Sequence, residues 1–137
     1  MATITCFEEL EIWKMARILC SDISRITNYA LFSKDYRFRD QIRSSSGSVM
    51  DNIAEGFERS GNKEFIQFLY IAKGSCGEVR SQLYRALDVS YITTDEFVLL
   101  KEKVQQLSKK IATFIQYLHN TEMTGIKYKR SSPKPQI

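Results

Sequence analysis

The chain has 137 residues, of which 43% are hydrophobic and 26% charged, and its formal net charge is +4. This length suits one domain that buries its own core without metals or disulfides, and the composition excludes a wholly disordered chain. Residues 122–137 carry a charge of +3 and residues 1–121 only +1, which excludes a uniformly basic globule.

The cysteines and the hydropathy pattern predict a cytoplasmic protein that does not enter a membrane. Cys6, Cys20 and Cys76 are an odd number without a CxxC pair, which is typical of reduced thiols. The sequence also shows no basic-then-apolar leader and no apolar run long enough to span a bilayer.

The first predicted helix begins at a capping box formed by Thr5 and Glu8 and runs to about Thr27. Its apolar positions cover nearly half of the helix circumference, which is wider than one core stripe requires. We therefore expect this helix to be buried on two sides.

The second and third predicted helices form a hairpin with Gly61 at its tip. Ser33 is the expected N-cap of the second helix, and pairing about the tip places Ser45 and Ser46 level with Ser75 and Cys76. Small residues at this level allow the two backbones to approach closely. The predicted core stripes are Phe38, Ile42, Ser45, Val49, Ile53 and Phe57 in the second helix, and Phe65, Leu69, Ala72, Cys76, Val79, Leu83 and Ala86 in the third.

The fourth predicted helix begins at a second capping box, formed by Thr93 and Glu96. Its apolar seam is Phe97, Leu100, Val104, Leu107, Ile111, Phe114 and Leu118. Residues 122–137 lack periodicity and are predicted to be a disordered basic tail. Four long helices with short connections predict an all-α domain over residues 1–121, an antiparallel up-down-up-down four-helix bundle.

The sequence offers little support for catalysis. The single histidine, His119, lies near the end of the last helix, and no helix carries the Glu-x-x-His motif of di-metal bundles. Glycines inside helical patterns lack the spacing of a nucleotide fingerprint. We expect no metal, no cofactor and no enzymatic activity.

A second stripe on the third helix is surplus to a single core. It consists of Ile66, Tyr70, Lys73, Gly77, Arg80 and Tyr84. Gly47 and Gly74 also project away from the core stripes, and interior helical glycine costs about 0.5–1 kcal/mol relative to alanine. These features predict an oligomer interface at Gly47, Ile66, Tyr70, Gly74, Gly77 and Tyr84.

Basic residues on the helix flanks predict a nucleic-acid contact. Arg39 and Arg43 lie one turn apart on the second helix, and Lys73 and Arg80 lie two turns apart on the third. Arginine beside tyrosine suits phosphate contact and base stacking, and it equally suits the rim of a protein interface. Whether the two flanks converge depends on the handedness of the bundle, which the sequence leaves open.

Several motifs in a fixed order closely resemble the family of "four helix bundle proteins". They are Phe7-x-x-Leu10-x-x-Trp13-x-x-Ala16, Gln41-Ile42-Arg43, Asn52-Ile53-Ala54-Glu55-Gly56-Phe57-x-Arg59, and Glu64-Phe65-x-x-Phe68-Leu69-x-Ile71-Ala72-x-Gly74-Ser75. That family includes proteins encoded in intervening sequences of bacterial large-subunit ribosomal RNA genes and accessory proteins of diversity-generating retroelements. The resemblance covers about residues 7 to 120.

The resemblance implies a bundle that assembles into a ring-like homopentamer, and retroelement relatives that bind a reverse transcriptase and nucleic acid. Together with the basic flanks, it predicts a non-enzymatic homo-oligomeric accessory protein that binds RNA, DNA or a nucleic-acid enzyme through Arg39, Arg43, Lys73 and Arg80. The alternative is a structural module whose surplus stripes serve only self-assembly.

Overall fold

A computed structural model describes residues 3–123, and its long elements are four α-helices with no β-strand in that range. They are α1 (Glu11–Ile26), α2 (Tyr36–Glu58), α3 (Asn62–Asp88) and α4 (Thr94–Met123). Short 3-10 helices at Phe7–Glu9 and Phe32–Lys34 precede α1 and α2. The predicted all-α, four-helix fold is confirmed, whereas the tail prediction falls mostly on residues 124–137, outside the described range.

The helices pack in a cycle around one core. Helix α2 packs against α1 and α3, α3 packs against α4, and α4 returns to α1. Helix α1 has two neighbours, but only one stripe of it is buried, namely Ile12, Ala16, Leu19, Ile23 and Ile26. Ile18 is 55% exposed, so the expectation that this helix is buried on two sides is wrong within one subunit.

The predicted core stripes of α2 and α3 are buried in full. In α4 the seam differs at one position, because Ile115 is 4% exposed while the predicted Phe114 is only partly buried against the core. The ring of Phe114 instead lies edge-on to Phe65 at a centroid distance of 5.6 Å. Spacings of three and four residues both fit a helical seam, so the choice between 114 and 115 depends on the facing helix.

The hairpin between α2 and α3 turns at Gly61, as predicted. Gly61 is the N-cap of α3 with a φ of 90°, a backbone conformation that favours glycine. Above the turn the rings of Phe57 and Phe65 meet at 5.9 Å, and further along the hydroxyls of Ser48 and Ser75 share a 2.8 Å hydrogen bond. Small residues therefore line the middle of the contact between α2 and α3.

Two predicted helix starts are corrected. Near the N-terminus, Thr5 donates its backbone N–H to Glu9 rather than to Glu8, and this pair spans the 3-10 turn at Phe7–Glu9, so that α1 begins only at Glu11. The N-cap of α2 is Asp35, which accepts from the backbone N–H of Phe38, whereas Ser33 lies in the preceding 3-10 turn. Asp35 is also held by the hydroxyl of Tyr91, a tertiary contact that local spacing does not reveal.

The second capping box is confirmed in both directions. Thr93 donates its backbone N–H to the Glu96 carboxylate at 2.8 Å, and Glu96 donates its backbone N–H to the Thr93 hydroxyl at 3.1 Å. The hydroxyl of Tyr29 donates to the same carboxylate. The backbone hydrogen bond from Thr93 is the main reason that the pKa of Glu96 is lowered from its ordinary value of 4.5.

This lowered pKa predicts a pH dependence of stability. A carboxyl group whose pKa is depressed by folding stabilises the protein above its unfolded pKa, and this stabilisation is lost as the pH falls through the folded value. We expect Glu96→Gln to reduce the free energy of unfolding at pH 7 and to have a smaller effect at acidic pH. Urea unfolding across this range measures the difference, and an equal effect at both ends would contradict it.

None of the helices in the described part of the chain combines the length and the apolar character needed to cross a bilayer.

Candidate nucleic-acid interface

The two arginines predicted on α2 lie at the connection between α1 and α2. Arg43 donates to the Thr27 hydroxyl at 2.8 Å and to the Asn28 side-chain oxygen at 3.2 Å. Arg39 donates to the backbone oxygen of Ser33 and pairs with Asp40, and its guanidinium group lies 5.0 Å from the ring centroid of Tyr36. Both guanidinium groups therefore serve the junction between α1 and α2.

The two cations predicted on α3 lie on the flank nearest α4. Tyr84, one turn beyond Arg80, packs edge-on against Phe97 of α4 at 4.7 Å. The ammonium group of Lys101 lies 5.5 Å from the Tyr84 ring centroid. Lys73 and Arg80 occupy the same stripe as Tyr84 and are exposed.

The two basic pairs do not converge, which answers the question that the sequence leaves open. Because the helices follow one another in a cycle, the flank of α2 nearest α1 and the flank of α3 nearest α4 open onto different sides of the molecule. A single ligand patch made of Arg39, Arg43, Lys73 and Arg80 is therefore excluded within one subunit.

We call the surface along the second pair the α3–α4 face. On α3 it consists of Tyr70, Lys73, Gly77, Arg80 and Tyr84, and on α4 of Val98, Lys101, Gln105, Ser108 and Ala112. These positions contain three cations and no acidic residue. Lys101 was missed by the sequence analysis, because only the contact with Tyr84 shows that it joins this surface.

The cations of the α3–α4 face are not neutralised by ion pairs within residues 3–123, whereas several lysines and arginines elsewhere are. Lys103 pairs with Asp22 at 2.9 Å, and Arg59 with Glu55 at 2.7 Å. No ion pair of 4 Å or less involves Lys73, Arg80 or Lys101 in that range. The face therefore presents positive charge that is free to meet an anionic ligand.

The residues predicted to form an oligomer interface are dispersed. An added Cβ at Gly47, Gly74 or Gly77 would meet no atom within 4 Å, so all three glycines border open space. Gly77, Tyr70 and Tyr84 lie on the α3–α4 face. Ile66 is corrected to a core residue: it is 5% exposed and part of the hydrophobic core, so its side chain is unavailable to a neighbouring subunit.

Gly56 has a structural role that the sequence analysis did not assign. A Cβ built on Gly56 would lie 2.7 Å from the Cβ of Phe68 and 2.9 Å from the ring of Phe65. This glycine, in the Asn-Ile-Ala-Glu-Gly motif, permits the close approach of α2 and α3. Its place three residues after the predicted core residue Ile53 was the available sequence signal.

In the described part of the chain, the structure brings together no catalytic or metal-binding centre. Burial raises the pKa of the Cys76 thiol to about 12, and burial is also the main reason that the pKa of Cys20 is raised. No group of three or more metal-binding side chains occurs there. The open groove between α2 and α3, of about 530 Å³, contains neither histidine nor cysteine; its lining is Arg37, Asp40, Gln41, Ser44, Ser45, Ser48 and Glu78.

Two comparisons with known proteins give matches. A sequence model of the family described as "23S rRNA-intervening sequence protein" matches residues 8–113. A crystal structure from Bacteroides thetaiotaomicron, described as a protein with unknown function from the S23 ribosomal protein family, superposes with a TM-score of 0.71. It shares 19% identity, covering 77% of this chain and 95% of the other, so the likeness concerns the fold. No curated protein matches the sequence.

Proposed function

The chain belongs to the 23S rRNA-intervening sequence protein family, and we propose that it is a non-enzymatic, homo-oligomeric accessory protein that binds nucleic acid through the α3–α4 face. The observation that carries the proposal is the set of three exposed or partly exposed cations, Lys73, Arg80 and Lys101, none of which forms an ion pair within residues 3–123. Two tyrosines flank these cations, Tyr70 and Tyr84, which are 55% and 44% exposed.

This arrangement fits the chemistry of nucleic acids. Lysine and arginine neutralise phosphates and release counterions, which dominates affinity in such complexes. Aromatic rings beside the cations supply stacking surfaces for bases.

Arg39 and Arg43 are less suited to this role than predicted, because their N–H groups already bind Thr27, Asn28, Asp40 and Ser33. RNA and DNA both remain candidate ligands, and a reverse transcriptase, implied by the family resemblance, remains a candidate protein partner.

We also propose that the four helices alternate in direction and that subunits form a ring. Contacts between opposite ends of α2 and α3 support the alternation, since Phe57 meets Phe65 while Arg85 donates to Gln41. Gly47 lies on the same stripe of α2 as Arg43, whereas Gly74 lies on the solvent side of α3 beside exposed Ile71. A contact that joins two different surfaces is heterologous, and such contacts form a ring when the rotation between successive subunits closes. The pentamer implied by the resemblance satisfies this geometry.

Ring assembly would strengthen binding by a weakly basic surface. Each subunit contributes only three cations, but several α3–α4 faces that engage one strand act together through their effective concentration. Gly47 and Gly74 also favour the alternative function, a structural module that only assembles with itself. That module would show the same oligomer and no affinity for nucleic acid.

The proposal is tested by light scattering and by fluorescence anisotropy with a labelled RNA. We expect a mass of several subunits, and an RNA affinity that falls by tenfold or more between about 50 and 200 mM salt, as three phosphate contacts require. An oligomer without RNA affinity would support the structural module instead. A monomer without RNA affinity would contradict both functions.

A further inference from the structure

Tyr70 differs from the other exposed tyrosines in the availability of its ring. It is 55% exposed, and no aromatic or cationic group within residues 3–123 packs on it at the distances typical of stacking. On the same face, the ring of Tyr84 is already in contact with the Phe97 ring and the Lys101 ammonium group. Tyr36, 65% exposed, carries the Arg39 guanidinium on its ring. Tyr70 is thus an exposed aromatic surface without an intramolecular stacking partner in the described chain.

Lys73 lies one turn from Tyr70 on the same stripe. Side chains three residues apart on a helix are neighbours, with Cβ atoms about 5–6 Å apart. A ring and an ammonium group at this separation can meet the base and the phosphate of one nucleotide. Arg80 lies two turns further along, about 10 Å at 1.5 Å per residue, where it can meet a later phosphate of the same strand.

Between Tyr70 and Arg80 the surface is low and open. Gly77 has no side chain, and the facing positions of α4 at this level are small or uncharged, namely Gln105, Ser108 and Ala112. An extended chain of nucleotides can therefore lie close to the helix backbone without displacing a bulky side chain.

We infer that the α3–α4 face binds single-stranded nucleic acid, with an unpaired base stacked on Tyr70 and successive phosphates on Lys73 and Arg80. This inference rests on the proposed function and adds the strand state of the ligand. In a duplex both faces of an internal base are already stacked on neighbouring bases, so a duplex would engage the cations and leave Tyr70 unused. A single strand uses all three side chains.

The test compares single-stranded and duplex RNA of about 12 nucleotides with the same labelled strand. We expect the single strand to bind more tightly than the duplex. Tyr70→Ala should weaken single-strand binding by about 5- to 100-fold and leave duplex binding unchanged, since base stacking on one aromatic side chain has this magnitude. Tyr70→Phe keeps the ring and should retain the affinity, and Tyr36→Ala is the matched control at an exposed tyrosine on another surface.

The possible failures are distinguishable. If wild-type protein binds duplex as tightly as single strand and Tyr70→Ala changes neither, the inference is overturned while the proposed function stands. If wild-type protein binds neither ligand, the proposed function itself fails. If Tyr70→Ala lowers the mass measured by light scattering, Tyr70 belongs to a subunit contact, and this too overturns the inference.

Discussion

Reversing the charges of Lys73 and Arg80 together, as Lys73→Glu with Arg80→Glu, is expected to weaken RNA binding about 100-fold. A hydrogen bond to a charged group contributes about 1.5–3 kcal/mol, so each lost phosphate contact costs roughly tenfold or more in affinity. Both residues are exposed and form no ion pair within residues 3–123, so the fold should tolerate the change. The salt dependence should become shallower, because two of three phosphate contacts are removed.

A matched control separates this local effect from the change in net charge. Lys14→Glu with Arg37→Glu alters the net charge by the same amount at two exposed cations, one on α1 and one in the open groove between α2 and α3. We expect at most a small loss of affinity from this variant. An equal loss in the two variants would show that long-range charge rather than the α3–α4 face attracts RNA, and would contradict the assignment.

Gly56→Ala is expected to destabilise the protein by about 1–3 kcal/mol, the usual cost of overpacking a core. The new Cβ would lie 2.7 Å from the Cβ of Phe68, an atom fixed by the α3 backbone, so the two helices would have to move apart. The loss exceeds the gain of about 0.5–1 kcal/mol that replacing a helical glycine by alanine gives where space is free.

Gly77→Ala is the matched control, because a Cβ at Gly77 meets nothing within 4 Å and the residue lies inside α3, the partner helix of this contact. Urea unfolding should show the two variants shifting stability in opposite directions, with Gly77→Ala slightly more stable than the wild type. If Gly56→Ala were as stable as Gly77→Ala, α2 and α3 would not be in close contact at this level.

Much of the fold was predictable, because the sequence patterns that indicate it each involve residues that are close together in the chain. Apolar residues at steps of three and four identify a buried helical stripe whatever it packs against, so every residue of the predicted core stripes of α2 and α3 is buried. The capping box at Thr93 and Glu96 is complete within four residues, and it formed as predicted. Gly61 marked the hairpin because the turn requires a positive φ.

Predictions failed where a second helix decides the outcome. Ile115 replaced Phe114 in the seam and Ile66 entered the core, since both choices depend on which neighbour covers the flank. Asp35 rather than Ser33 caps α2, in a position that a hydrogen bond from distant Tyr91 supports. In each case the local spacing allowed two alternatives.

In the candidate site too, some features follow from one helix and others depend on a second helix. The sequence by itself identified Lys73, Arg80, Tyr70 and Tyr84 as surplus to the core, because exposure follows from the helical period. Only the tertiary structure separated them from Arg39 and Arg43 and added Lys101, because these relations join residues on different helices. Charge and periodicity are properties of one helix, whereas this binding surface is a property of two helices packed side by side. The α3–α4 face therefore follows from the packing of α3 against α4.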